Sequence, residues 1–211
     1  MRYMHKFNFG PLVCGTKISK ELAEELLLVG RMQTEDATKD LAGRIEDEKN
    51  FDEESKMKFS RQILPHIEEY LGNIVEFKRW SPNRQPILEM EKLWINFQKS
   101  GEYNPPHVHT GLVSFVIYLQ IPEGMYEEAH NTLGPPPGTI SFSFGDSTFV
   151  SDEKDDDRIF KELLQPVTYL NFAPDPLDMF IFPSYLKHYV ESFRSEGERI
   201  SVSGNVLIKS I

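Results

Sequence analysis

Two different hydrophobic periods divide the chain. Behind Ser19, a good N-cap, Leu22, Leu26 and Val29 recur at helical spacing, with Gly30 near the expected stop. A second helix is predicted from about Glu54 to Leu71, with Met57, Ile63, Ile67 and Tyr70 on one side and an end at Gly72. Pro65 should kink this helix or restart it as a first-turn residue. The acidic link Arg44 to Glu54 reads as solvated surface. From about Ile74 the period becomes two, and the predicted strands are Ile74–Phe77, Met90–Phe97, Leu112–Ile121, Thr139–Phe144, Val167–Asn171, Met179–Phe182, Tyr189–Phe193 and Arg199–Ile208. Turn residues punctuate them at Ser81-Pro82-Asn83, Asn104-Pro105-Pro106, Gly134 to Gly138 and Ala173 to Pro176. Helices followed by many short strands predict a mainly β fold, a β-sandwich with the helices packed outside one sheet. No repeat or linker splits it, so one domain is expected over 1–211, with a helical part over about 1–73 and a β core over about 74–211.

Composition narrows the classes. Of 211 residues, 39% are hydrophobic and 27% charged, enough for a packed core. The 33 acidic and 23 basic residues give a net charge of −10, which disfavours stable nucleic-acid binding because neutralising phosphates requires a cationic face. With Cys14 the only cysteine, neither an internal disulfide nor a thiolate zinc cluster can form, so a metal would need His, Asp or Glu. No signal peptide and no apolar run of about 20 residues is seen, and a cytoplasmic protein without membrane contact is expected. Exposed strand edges leave room for a homodimer.

Three of the six histidines stand out. His107 and His109 precede the apolar strand Leu112–Ile121, and extended backbone points residues i and i+2 the same way, so the two rings can converge on one ion. An HxH pair alone is a weak signal, and two polar strand-end residues are the plain alternative. His188 follows the proline-ended stretch Phe182-Pro183-Ser184. Further on, Arg199, Ser201, Ser203 and Asn205 share one strand face, while Ile200, Val202, Val206 and Ile208 share the other. Such a face is either a surface or the lining of a polar pocket. A guanidinium with a hydroxyl two residues on makes a good receptor for a carboxylate.

The order HxH, distant His, Arg-x-Ser resembles the 2-oxoglutarate/Fe(II)-dependent oxygenases. Trp94-Ile95-Asn96, Gly101, Asn104-x-x-His107-x-His109, Ser114 through Tyr118-Leu119, Phe182-Pro183-Ser184 and Arg199-Ile200-Ser201 are similar to bacterial and phage members of that family, from about Trp94 to Asn205. A weaker likeness reaches Asp40-Leu41-Ala42-Gly43. The resemblance implies a double-stranded β-helix (jelly roll), Fe(II) as cofactor, and 2-oxoglutarate and O₂ as co-substrates. It implies that the enzyme is an oxidoreductase that hydroxylates a substrate the sequence does not name. It makes His107 the first metal ligand, His188 the distal one, and Arg199 with Ser201 the anchor for the far carboxylate of the oxo-acid.

His109 falls where the family at large has Asp or Glu. It is either a third ligand, the reading the i/i+2 geometry favours, or the first ligand of a register slid by two with Gly111 at the carboxylate position. In a third reading a carboxylate such as Glu102 completes the site from outside. Tyr118 and Asn96 are candidate contacts to the oxo-acid or substrate, or else satisfy nearby backbone; Trp94 reads as core. His5, His66 and His130 read as structural or solvated. The loops Gly134–Gly138 and Ala173–Pro176 are candidates for the substrate mouth. The competing class is a metal-binding, cupin-like jelly roll, either a 2-oxoglutarate-independent dioxygenase or a non-catalytic binding protein, which would need no Arg-x-Ser anchor.

Overall fold

The computed structural model describes residues 10–78, 86–128, 135–145 and 168–210. Helix α1, Lys20–Met32, begins where the sequence predicts, with the Ser19 hydroxyl accepting from the Leu22 N–H at 3.2 Å. It runs past Gly30, where a Cβ would come within 2.4 Å of Ile95 Cδ1. That glycine allows helix and sheet to approach closely and does not end the helix.

Helix α2, Glu53–Lys78, is capped by the Asp52 carboxylate, which accepts from the Ser55 N–H at 2.7 Å. It departs from expectation twice. It continues through Gly72 and takes in Ile74–Phe77, which therefore is not a strand, and Pro65 lies inside it. An interior proline costs about 3 kcal/mol, but fully burying one large apolar side chain contributes roughly 1.5–3 kcal/mol, and this helix buries Phe59, Ile63, Ile67 and Tyr70. Met57, assigned to that face by periodicity, is exposed, and Phe59 takes its place.

The strands form two antiparallel sheets. The larger has the spatial order β1 (Cys14–Lys17), β9 (Asp178–Pro183), β6 (Val113–Gln120), β11 (Arg199–Ser210), β4 (Pro86–Gln98), β3 (Glu48–Asn50), β2 (Glu35–Asp36). The smaller runs β5 (Asn104–His107), β10 (Lys187–Val190), β7 (Ile140–Ser143), β8 (Tyr169–Phe172). From β4 to β11 the described strands alternate between sheets, except that β7 and β8 both lie in the smaller sheet. This is the expected double-stranded β-helix. β1 extends one edge of the larger sheet, and β3 with β2 extends the other.

Those extensions correct the sequence reading. The link Arg44 to Glu54 is not wholly solvated: Ile45, Glu48 and Phe51 are buried and β3 pairs with β4. The helical N-terminal part thus contributes three strands to the β core. The Asn104-Pro105-Pro106 turn belongs to β5, which lies at a sheet edge and pairs with β10 only at Asn104 and His107. An edge strand bonded so sparsely tolerates prolines that lack N–H groups. The run Ser151 to Arg158, the turn Ser81-Pro82-Asn83, His5 and His130 lie outside the described residues.

One face of the larger sheet (Ile95, Phe97, Ile117, Ile200, Val202) packs on Leu22 and Leu26 of α1 and Phe59, Ile63 and Ile67 of α2. The other face meets the smaller sheet around Val116, Tyr118, Phe142, Phe180 and Phe182. The polar face of β11 therefore looks inward, between the sheets. No helix among the described residues is long and apolar enough to cross a membrane.

Candidate metal and oxo-acid site

The antiparallel register of β5 and β10 makes His107 and His188 direct cross-strand partners. Such partners share a face, with Cβ atoms about 4.5–5.5 Å apart, and here the ring centroids are 4.3 Å apart. His109 lies just beyond β5, fixed by its N–H donating to the Ser184 carbonyl at 2.9 Å. Its ring centroid is 4.8 Å from that of His107 and 4.9 Å from that of His188. One ring nitrogen from each of the three residues lies within 4.8 Å of the others.

Local hydrogen bonds aim these nitrogens. The Nδ1–H of His107 donates to the Pro105 carbonyl at 2.7 Å, and that of His188 to the Leu186 carbonyl at 2.9 Å. Each bond fixes the tautomer and leaves Nε2 with a free lone pair. Burial pushes His109 and His188 down to about 3, and each is lowered further by neighbouring histidines. Burial also lowers His107, partly offset by its bond to Pro105. At neutral pH all three rings are neutral, the state a metal requires.

This donor set fits a divalent iron. Imidazole suits Fe, Zn, Ni and Cu. Two nitrogens each about 2.1 Å from one ion and at right angles stand about 3.0 Å apart; His109 Nε2 and His188 Nε2 are 3.1 Å apart. Glu102 does not join the cluster: its carboxylate accepts from the N–H groups of Glu46 and Lys99. Gly111 faces the Val206 carbonyl and Asn205.

Beside the histidines a small pocket of about 40 Å³, partly open to solvent, is lined by Trp94, Asn96, Asn104, Tyr118, Arg199, Ser201 and Ser203 among others. Arg199 is 3% exposed, yet no carboxylate pairs with it among the described residues. Its Nη1 donates to Gln98 Oε1 at 2.8 Å and its guanidinium lies 4.7 Å over the Tyr118 ring, while Nε and Nη2 have no acceptor. A buried, unpaired cation is costly, so a small anion has a ready receptor here. The Ser201 hydroxyl accepts from Asn96 Nδ2 at 3.2 Å. Tyr118 is pushed up to about 12 by burial, against the pull of the Arg199 guanidinium beside its hydroxyl. Trp94 does more than fill the core: it lies 5.5 Å from the His109 ring. In the loop Ala173–Pro176, the Pro174 carbonyl accepts from the Tyr126 hydroxyl at 2.6 Å.

Sequence reasoning missed Gln98 and Glu48. Gln98 continues the Trp94, Asn96 alternation and could have been found by extending it. Glu48 gave no signal, since it sits in an acidic stretch and is buried only because β3 pairs with β4. Burial, reinforced by Glu102 and Asp36, pushes its carboxyl up to about 7. An unfolded glutamate titrates near about 4.3. The protonated form thus contributes stability that is complete below about pH 4 and lost as pH rises through about 7. Glu48→Gln cannot ionise and should escape a loss on the order of 3 kcal/mol. Urea midpoints taken from about pH 5 to 8 should favour the variant by a gap that widens with pH. A constant gap would refute this.

A family model described as "Putative 2OG-Fe(II) oxygenase" matches residues 92–205, more than half of the chain. Among solved structures, the chain is similar to an oxidoreductase of the 2OG-Fe(II) oxygenase family from Burkholderia pseudomallei. Identity is 12% and the TM-score 0.48, over 92% of this chain and 84% of that one. No curated protein matches the sequence.

Proposed function

The chain belongs to the 2OG-Fe(II) oxygenase family, and from that premise we propose that His107, His109 and His188 hold the iron, that Arg199 and Ser201 receive the far carboxylate of 2-oxoglutarate, and that the enzyme hydroxylates a bound substrate. When bound, iron with 2-oxoglutarate supplies O₂ activation, coupling loss of CO₂ from the oxo-acid to substrate oxidation. The observation that carries the reading is the meeting of three neutral imidazoles from two stretches of chain with a buried guanidinium that lacks a carboxylate among the described residues.

The chain's own residues have separable tasks. His107 and His188 are held in register by the β5–β10 ladder, with their Nδ1–H groups spent on carbonyls, so no rotation is needed on binding. Three neutral ligands leave about one more positive charge on the metal than a site with a carboxylate would, which favours an anionic co-substrate. Arg199 offers the N–H groups of Nε and Nη2 and is steadied by Gln98 and the Tyr118 ring. Phe182 and Phe142, at 4.7 and 5.9 Å from the His188 ring, keep one side of the cluster dry. A cupin without an oxo-acid would have no use for a buried guanidinium at that place.

The test is spectroscopic. Anaerobic addition of Fe(II) and 2-oxoglutarate should produce the weak visible charge-transfer band of the chelate, with iron bound at one equivalent. Protein that retains iron but shows no band would refute the oxygenase reading.

A further inference from the structure

The unmatched polar atoms of the interior include the hydroxyls of Tyr118, Thr139 and Ser141, which can donate or accept; the others differ in sign. Around β11 they are the donors of Arg199. Toward β3, β4 and β5 they are acceptors: Oδ1 of Asn96, Oδ1 of Asn104 and both carboxyl oxygens of Glu48, none with a partner among the described residues. Asn96 and Asn104 line the pocket. Glu48 is the cross-strand partner of Asn96 and so shares its inward face. Glu48 is 1% exposed and Asn96 4%.

The Nδ2 of Asn96 donates to Ser201, which holds the amide with its oxygen free. Above Glu48 the chain carries Gly43, where a Cβ would come within 2.9 Å of Oε1. Buried acceptors without donors are costly, and a carboxyl among them is the costliest.

We propose that this corner receives a cationic nitrogen of the substrate, an ammonium or guanidinium group, with Glu48 as its counter-ion and the side-chain carbonyls of Asn96 and Asn104 as further acceptors. The inference rests on the oxygenase reading only in calling the ligand a substrate. A hydroxyl would satisfy one of these acceptors; an ammonium carries three donors and a guanidinium five. Glu102 and Asp36 add negative potential at Glu48, and the chain's net charge of −10 favours approach of cations. Donors at one end and acceptors at the other would let the oxo-acid and an amine occupy the same interior without exchanging places.

Binding is tested without turnover. Metal-free full-length protein at neutral to mildly alkaline pH is titrated with n-butylguanidinium and with its uncharged isostere n-butylurea, followed by calorimetry. Because charge-assisted bonds are about twice as strong as neutral ones, wild type should bind the cation at least about tenfold more tightly. Glu48→Gln should bring the ratio close to one while leaving 2-oxoglutarate binding to the iron-loaded protein intact. Equal affinities in wild type, or a preference that survives in Glu48→Gln, overturn the proposal. Loss of the charge-transfer band would instead strike the oxygenase reading and leave this result standing.

Discussion

Replacing His188 by alanine is expected to leave the protein without iron and without 2-oxoglutarate turnover. His188 is 4% exposed, is the cross-strand partner of His107, and brings its Nε2 within 3.1 Å of His109 Nε2. Loss of groups that merely orient metal ligands costs roughly 10–100-fold in affinity, and loss of a ligand should exceed that. The measurement is iron per chain after gel filtration, beside succinate release. His188 packs against Phe142 and Phe182, so circular dichroism must show the variant folded. A folded variant with full iron would remove His188 from the site.

Arg199→Met should separate oxo-acid binding from metal binding. Truncating one partner of a buried charge pair costs about 2–5 kcal/mol, or on the order of 30- to 5,000-fold in 2-oxoglutarate affinity, with iron affinity unchanged. The variant should also show the opposite sign in stability. Without ligand, wild type buries a guanidinium held by the neutral Gln98 and beside Tyr118, with no described carboxylate, so the metal-free variant should melt at a higher temperature. It should lose the stabilisation that excess 2-oxoglutarate gives wild type, about 2.7 kcal/mol at one hundred times Kd. An unaltered 2-oxoglutarate affinity would show that Arg199 is not the anchor.

Much of this was legible because β periodicity is local. The alternation along Arg199 to Ile208 separates Arg199, Ser201, Ser203 and Asn205 from Ile200, Val202, Val206 and Ile208, and the folded sheet keeps that separation. The spacing of His107 and His109 likewise put both rings on one side. Other elements were hidden by what surrounds them. β5 contains two prolines, and only its place at a sheet edge makes a strand of it. β3 is three residues long, and only pairing with β4 buries Glu48. Helix α2 crosses Pro65 and Gly72 because its apolar face is paid for by the sheet beneath it.

The sequence by itself determined the class of fold, the two faces of β11 and the residue types able to bind metal and carboxylate, since side-chain direction and chemistry are properties of short stretches. Tertiary structure alone decided that His188 stands opposite His107, that the polar face of β11 is interior, and that a carboxyl at Glu48 is left without a donor. Those facts depend on strand registers and on which surfaces meet between residues far apart in the chain, and no local pattern encodes them.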